Sequence, residues 1–321
     1  MRPRPLPATL LGEPFSVAAA RDLGVGPARL RAPGLITPTR GVRSVDELGS
    51  LVARARAVQV GLAPGTAYSH VTAAELWDLP LPRRLQAQVE LDVMTHTRGG
   101  QVIRRGCRGH RGLERRVVTL IDDLRVTSRS ETWCDLAELG PRLISVDDLV
   151  VIGDACVKQM DDELRARVQA GAVTSPGVRA LHEAQGRRIR PRGKVMLRQA
   201  LELVRPRVKS PMESRSRLMF VRAGFPEPVV NLAILDDADE WLAEGDLVWK
   251  AKRLIGEYQG SHHGDIKRRS ADASRFHLLE GRSWTVEELF SEDIYQRPRR
   301  IAALHRFAAR LDLDPATLLI A

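Results

Sequence analysis

The hydrophobic pattern is clearest in the last third of the chain. Ser210-Pro211-Met212-Glu213 carries a helix start, because serine is a good N-cap, proline fits the first turn, and the glutamate stands where it can answer the cap. Leu218, Met219 and Val221 supply an apolar face, and Gly224 ends the helix. Three strand-length apolar runs follow: Val229–Leu235, Trp241–Trp249 and 253–258. They are separated by the polar turn Asp236-Asp237-Ala238-Asp239 and by Lys250–Lys252. Beyond them the pattern predicts a basic helix over 265–280, a strand over 283–286 and an amphipathic helix over 298–311.

The N-terminal pattern is shorter. Ser16 caps a helix over Val17–Asp22, Gly24 ends it, Pro27 opens a second helix over 28–30, and residues 35–45 carry a strand–turn signal at Arg40-Gly41-Val42-Arg43. Helix, tight glycine turn, helix and short β element make the layout of a winged helix-turn-helix. Three short elements of a larger domain would read the same way. Further on, Thr72 with Glu75 has capping-box spacing ahead of a helix over 73–77. Residues 88–96 alternate as a strand, and 171–192 read as an irregular connector holding a short helix over 178–185.

Charge sharpens this picture. The 321-residue chain carries 50 Lys and Arg against 40 Asp and Glu, a net charge of +10, which suits a polyanionic partner. Residues 187–217 hold eleven Lys/Arg and two Glu, whereas 227–249 hold seven acids and no base. Basic groups that grip a phosphate backbone beside carboxylates that hold a cation would look like this; so would two solvated faces of opposite sign. Seven arginines lie between Arg98 and Arg116, a further stretch that fits either a backbone contact or an exposed loop, with His96 and His110 read as surface residues. Three cysteines without CxxC spacing argue against a disulfide framework or a zinc ribbon and read as buried or idle thiols. No apolar run is long enough to span a membrane, and the proline-broken start lacks a signal-peptide core, so a cytoplasmic protein with no membrane partner is expected.

Strand geometry then makes a specific prediction. If the second turn centres on Ala251-Lys252, Asp246 lies directly across from Glu257, with facing positions roughly 4.5–5.5 Å apart. Like charges that close oppose pairing unless a cation neutralises them, and Mg²⁺ or Mn²⁺ would do so. The other reading makes Asp246 a turn residue beside Gly245 and Glu257 an edge charge.

Two stretches resemble known families. "FSVAAARDLGVGPARLRAPGLITPTRGVRSV", with "SHVTAAELWDLPLP" and "RVTSRSETWCDLAELGPRLISVDDLVVIGDAC" downstream, resembles AbiEi-type antitoxins, which are winged-helix autoregulators of bacterial abortive-infection systems. "SPMESRSRLMFVRAGFPEPVVN" followed by "WLAEGDLVWKAKRLIGEYQGSHH" resembles the very-short-patch-repair (Vsr-like) endonuclease domain of the PD-(D/E)xK class. The second likeness implies a restriction-endonuclease-like fold, a mixed sheet flanked by helices. It also implies that Glu213 is the helix acid, Asp246 the metal-binding acid of the second strand and Glu257 the acid of the third. Gln259 falls where the class usually carries Lys, and His262 and His263 fall where the Vsr-type site places histidines.

The expected architecture is therefore α/β (α+β): a winged helix over 1–45, an α/β domain over 46–170, a connector over 171–208 and a nuclease-like domain over 209–321. The expected catalytic set is Asp246, Glu257, Gln259, Glu213 and His262, with Asp246, Glu257 and Glu213 on the metal. Arg29, Arg31, Arg40, Arg43, Lys267 and Arg268 are candidate nucleic-acid contacts. The expected function is that of a DNA-binding, divalent-metal-dependent endonuclease, with phage defence or DNA repair implied only by the resemblances. The competing reading is an antitoxin-like regulator whose nuclease fold is a scaffold or homodimer module; no residue indicates a cognate toxin.

Overall fold

The computed structural model describes residues 5–86, 88–165, 175–236, 238–260, 279 and 281–320. The fold mixes α and β, as the sequence predicts. The chain divides into two compact units, one of Met1–Ile152 with Arg179–Glu202 and one of Gly153–Val178 with Leu203–Ala321. Among the described residues no helix is long and apolar enough to cross a membrane.

The first unit opens with β1 (Phe15–Ser16), α1 (Val17–Asp22), α2 (Pro27–Leu30) and β2 (Val42–Arg43). The Ser16 hydroxyl accepts the Ala19 N–H at 3.0 Å, and Gly24 turns the chain at φ +79°, a conformation that costs glycine little. β1 and β2 pair antiparallel, and Leu6, Leu10, Phe15, Ala20, Val25 and Leu30 close a small core beneath them. The rest of the unit is built on a six-stranded sheet. Its strands are β3 (Ala67–Tyr68), β4 (Leu91–Thr95), β5 (Ile103–Arg104), β6 (Cys107–Arg111), β7 (Val118–Ile121) and β8 (Leu124–Thr127), in the order β5-β6-β4-β3-β8-β7. The helices α3 (Leu51–Gln59), α4 (His70–Leu76) and α5 (Arg83–Gln86) flank β3 in sequence, and α6 (Arg129–Leu136) follows β8.

Three local expectations are corrected here. α4 starts at His70 after Ser69, three residues earlier than the capping-box spacing suggested, and the Thr72 hydroxyl is buried and accepts the Asp92 N–H at 2.8 Å. The basic stretch after Arg98 is in part strand, because Cys107–Arg111 pairs parallel with β4. His110 is therefore carried inward rather than left on the surface. Its ring stacks on that of buried His70 at 3.7 Å, and its Nε2 lies 2.8 Å from Asp92, whose side chain is fully buried. All three cysteines are buried and free, as expected.

α7 (Val146–Arg165), α8 (Pro176–Gly186) and α9 (Lys194–Leu203) follow. The second unit then presents α10 (Pro211–Arg222), β9 (Val229–Leu235), β10 (Trp241–Trp249), β11 (Leu254–Tyr258), β12 (Thr285–Leu289), α11 (Ser291–Tyr295) and α12 (Arg297–Arg310). The sheet order is β12-β11-β10-β9, antiparallel except for the parallel pair β11–β12. Its core is aromatic. Phe220 packs against Phe225, Trp249 and Phe307 with ring centroids 5.2, 5.0 and 4.6 Å apart, within the range that favours edge and tilted contacts. Gly256 makes room for Phe307, whose Cε1 would sit 3.2 Å from an added Cβ.

Candidate metal centre and its polar row

Apolar alternation and a short turn fix the position of the expected acids. The turn at Lys250–Lys252 sets the register Leu247↔Gly256, Val248↔Ile255 and Trp249↔Leu254. The ladder ends there, and Asp246 and Glu257 are the next residue on each strand. The β9–β10 register, with Leu247↔Val230 and Gly245↔Leu232, brings Asn231 opposite Asp246 on the other side. A polar row thus crosses three strands.

The alternation breaks at this row. Ala243 packs with Ile234, Val248 and Ile255, and a Cβ on Gly245 would meet the Val248 and Ile255 methyls at 2.7 and 2.8 Å. Leu247 and Trp249 nevertheless pack with Phe220 and Phe307. Odd positions therefore change face at Asp246. β9 changes face at Asn231, since Val230 belongs to the Phe220 cluster and Ile234 to the Val248 cluster. Asn231 accomplishes this with φ +47°, a left-handed conformation that asparagine tolerates better than most residues. Irregularities of this kind re-aim a side chain within a sheet.

Asp246 uses the break to reach its neighbour. Its Oδ2 accepts the Tyr258 N–H at 3.0 Å, which belongs to the peptide that joins Glu257 to Tyr258. The carboxylate thus lies against the main chain of the residue it was expected to meet. Glu257 is buried. Glu288 of β12 stands beside it in the parallel register and is exposed; sequence reasoning did not single it out.

Glu213 lies at the first turn of α10. Its N–H is held by the Ser210 hydroxyl at 3.2 Å, so the capping contact is present. Its Oε2 accepts the Lys209 N–H at 2.9 Å and the Asn231 amide at 2.5 Å. Asn231, opposite Asp246 and bonded to Glu213, ties the helix acid to the strand row. It too escaped the sequence reading, although an amide in the middle of Val229-Val230-Asn231-Leu232 was a visible signal. Gln259 stands at the end of β11, where its N–H donates to the Leu289 carbonyl at 2.7 Å. Among the described residues no group of three or more His, Cys, Asp or Glu side chains gathers as a metal cage. The expected His262, with Lys267 and Arg268, lies outside the described residues.

Of the N-terminal arginines, Arg31 and Arg40 are exposed and Arg29 is half-buried. Arg43 is committed within its own fold, donating to the Leu30 carbonyl at 2.8 Å and to the Val42 carbonyl at 2.9 Å. Its guanidinium therefore closes the last turn of α2 against β2.

No family model matches the chain, and no solved structure matches it. Two curated proteins of Mycobacterium tuberculosis, MT2308 and Rv2248, both named as uncharacterized, are similar to it. Each is 32% identical over 135 residues, a stretch that covers 41% of this chain and 47% of the relative. The chain thus spans about half the length of the curated relatives it matches.

Proposed function

We propose that the second unit is a metal-dependent nuclease domain that hydrolyses phosphodiester bonds in DNA. One observation carries the reading: Asp246 and Glu257 stand one residue beyond the last paired positions of β10 and β11, and the Asp246 carboxylate accepts the N–H of the peptide that joins Glu257 to Tyr258. Two acids suffice to hold Mg²⁺, which keeps several waters and takes further oxygens from a phosphate. Asp246 and Glu257 are the residues that would hold it. Bound there, the cation would lower the pKa of a water and offset charge on the phosphoryl oxygens. The order of α10, hairpin and third strand supports the likeness to the Vsr-like domain, and Glu213 supports the row through Asn231 rather than as one of a three-acid cage. The Tyr258 N–H orients the Asp246 carboxylate toward β11.

The test is direct. Purified full-length chain with Mg²⁺ or Mn²⁺ should nick or cut supercoiled plasmid or single strands, and Asp246→Asn with Glu257→Gln should not. A wild-type preparation that leaves both substrates intact with either metal ends the reading.

A regulatory role is favoured by a separate observation: Glu213 is engaged by neutral donors, and Gln259 replaces the lysine usual in the class. In that reading the N-terminal unit binds its own promoter and the nuclease fold is a scaffold or homodimer module. Promoter binding unchanged by Asp246→Asn plus Glu257→Gln, together with absent cleavage, would select it.

A further inference from the structure

A cavity of about 520 Å³ opens beside the polar row. It lies within the second unit and is lined by Lys158, Arg165, Arg207 and Lys209, by Asp162 and Glu244, and by Asn231. Four cations against two carboxylates leave it a formal charge of +2. Its size falls among those of small-ligand sites, and its lining is cationic rather than apolar.

The cavity is built, not incidental. Lys158, Asp162 and Arg165 are spaced four and three residues apart on α7, so they share one helix face. Lys158 pairs with Asp162 at 2.6 Å, while the Arg165 guanidinium stays 3.9 Å from the same acid and is 71% exposed. Lys209 pairs with Glu244 across the cavity. Arg207 and Asn231 clasp each other: the Asn231 amide donates to the Arg207 carbonyl at 2.9 Å and the Arg207 guanidinium to the Asn231 carbonyl at 3.1 Å. Both residues hold left-handed backbone, at φ +70° and +47°. For an arginine this is an uncommon conformation, of the kind found where surrounding structure enforces a functional geometry. Asn231 belongs to the cavity and to the carboxylate row at once, through its 2.5 Å bond to Glu213.

We propose that this cavity is a phosphate-binding subsite for a nucleic-acid strand, with Lys158 and Arg165 as its principal cations and Arg207 and Lys209 as its floor. It rests on the nuclease reading only for its purpose: a strand held by one phosphate here would run past Asn231 onto Asp246 and Glu257. The excess charge of +2 matches a terminal phosphate monoester, and it matches two bridging diesters equally well. The lysine and arginine heads are point and fork donors, both suited to phosphate oxygens.

Binding is measured without catalysis. Fluorescence anisotropy of a 3′-labelled single-stranded DNA, with and without a 5′-phosphate, is followed in EDTA against full-length chain over a salt series. Lys158→Glu with Arg165→Glu is expected to weaken binding about tenfold or more at low salt, and to reduce the slope of log K against log salt by about 1.4, two contacts at about 0.7 each. Lys158→Arg with Arg165→Lys should keep both. Tighter binding of the 5′-phosphorylated strand identifies a terminal monoester as the occupant; equal binding identifies internal diesters. The proposal is overturned if the double glutamate variant, shown folded by circular dichroism, binds with wild-type affinity and slope. The nuclease reading is tested separately by cleavage with Mg²⁺ or Mn²⁺: a wild-type chain that binds the strand in EDTA but cleaves nothing with either metal ends that reading and leaves this one standing.

Discussion

Buried acids are held by different kinds of donor in the Glu131–Asp135 cluster of the first unit and at Glu213 of the second. In the first, fully buried Glu131 and Asp135 are met by guanidinium groups: Arg188 reaches both at 2.8 and 2.6 Å, Arg187 reaches Glu131 at 2.8 Å, and Arg116 reaches Asp135 at 2.9 Å. In the second, the Glu213 carboxylate accepts the Lys209 N–H and the Asn231 amide, and the Asp246 carboxylate accepts the Tyr258 N–H among its contacts. Opposite charges neutralise each other within the first cluster and make it a core element. Neutral donors, such as those on Glu213, orient an acid without cancelling its charge; in the proposed nuclease reading a bound cation would do that. Burial of carboxylates alone does not distinguish architecture from chemistry; the sign of what surrounds them does.

The largest effect should come from breaking the neutralised cluster. Removing Arg188 leaves Glu131 and Asp135 in the interior with part of their countercharge gone, and loss of one partner of a buried ion pair typically costs about 3–5 kcal/mol. Arg188→Ala should lower unfolding free energy by that amount in urea titration, without any direct effect on metal-dependent cleavage measured where the variant remains folded. A loss below about 1 kcal/mol would mean the cluster is not the structural element its geometry implies. The cluster is imperfect, since among the described residues Asp135 Oδ2 and Arg188 Nε are buried without hydrogen-bond partners, and Arg188→Met should cost less than alanine because it restores apolar volume.

The carboxylate row should respond the other way round. Asp246→Asn or Glu257→Gln should reduce cleavage at least about 100-fold, the upper range seen even for residues that only support metal ligands. Stability should hold or rise by a few tenths of a kcal/mol, because facing like charges oppose strand pairing. Parallel loss of folding and cleavage would place these acids with the first cluster and remove the contrast.

Acidity separates the units further. Burial lowers the His70 pKa to about 4, and the neighbouring His110 lowers it again against the pull of Asp135 and Asp92. The unfolded chain takes up this proton near pH 6.5 and the folded unit does so only near 4. Stability from His70 is therefore complete above pH 6.5 and is lost as pH falls through that window, at up to about 1.4 kcal/mol per pH unit. Asp154 in the second unit has the opposite sign. Burial raises its pKa to about 6 against the pull of Arg217, so its contribution is complete below the ordinary aspartate range and is lost as pH rises through 6. Hydrogen exchange between pH 6.5 and 4 should show protection falling in α4 and β4 and rising in α10. His70→Gln should flatten the first trend and Asp154→Asn the second. Equal trends in both units would contradict the assignment.

Much of the second unit was legible before any coordinates. β9 and β10 take the bounds that their apolar runs dictate, and the turn at Lys250–Lys252 joins β10 to β11 in an antiparallel pair as the runs predict. The alternation break was not legible, because period-two reasoning assumes regular strands and nothing in Gly245-Asp246 announces a change of face. The cavity was hidden for a different reason. Lys158 and Arg165 stand more than 40 residues before Lys209, and only tertiary packing of α7 brings them to Asn231. The stacked pair His70 and His110 was likewise missed, since parallel pairing of β4 with β6, a non-local contact, carries His110 inward.

Glu213 lies between the two kinds of region and gives the finest test. It is buried, its N–H is capped by the Ser210 hydroxyl, and its carboxylate holds the Lys209 N–H and the Asn231 amide. If it acts through position rather than by ligation, Glu213→Gln keeps one acceptor for the Lys209 N–H and loses the ionic character of its bond to Asn231. The expected cost is about 1 kcal/mol of stability, comparable to loss of a cap. Cleavage at saturating Mg²⁺ should then stay within about threefold of wild type, well short of the 10–100-fold losses typical of residues that support metal ligands. A 100-fold loss, with the Mg²⁺ concentration for half-maximal rate also raised, would make Glu213 a third oxygen donor to the cation. The row would then close around the metal from helix and strands together, and the distinction drawn between an acid that positions and acids that ligate would not hold.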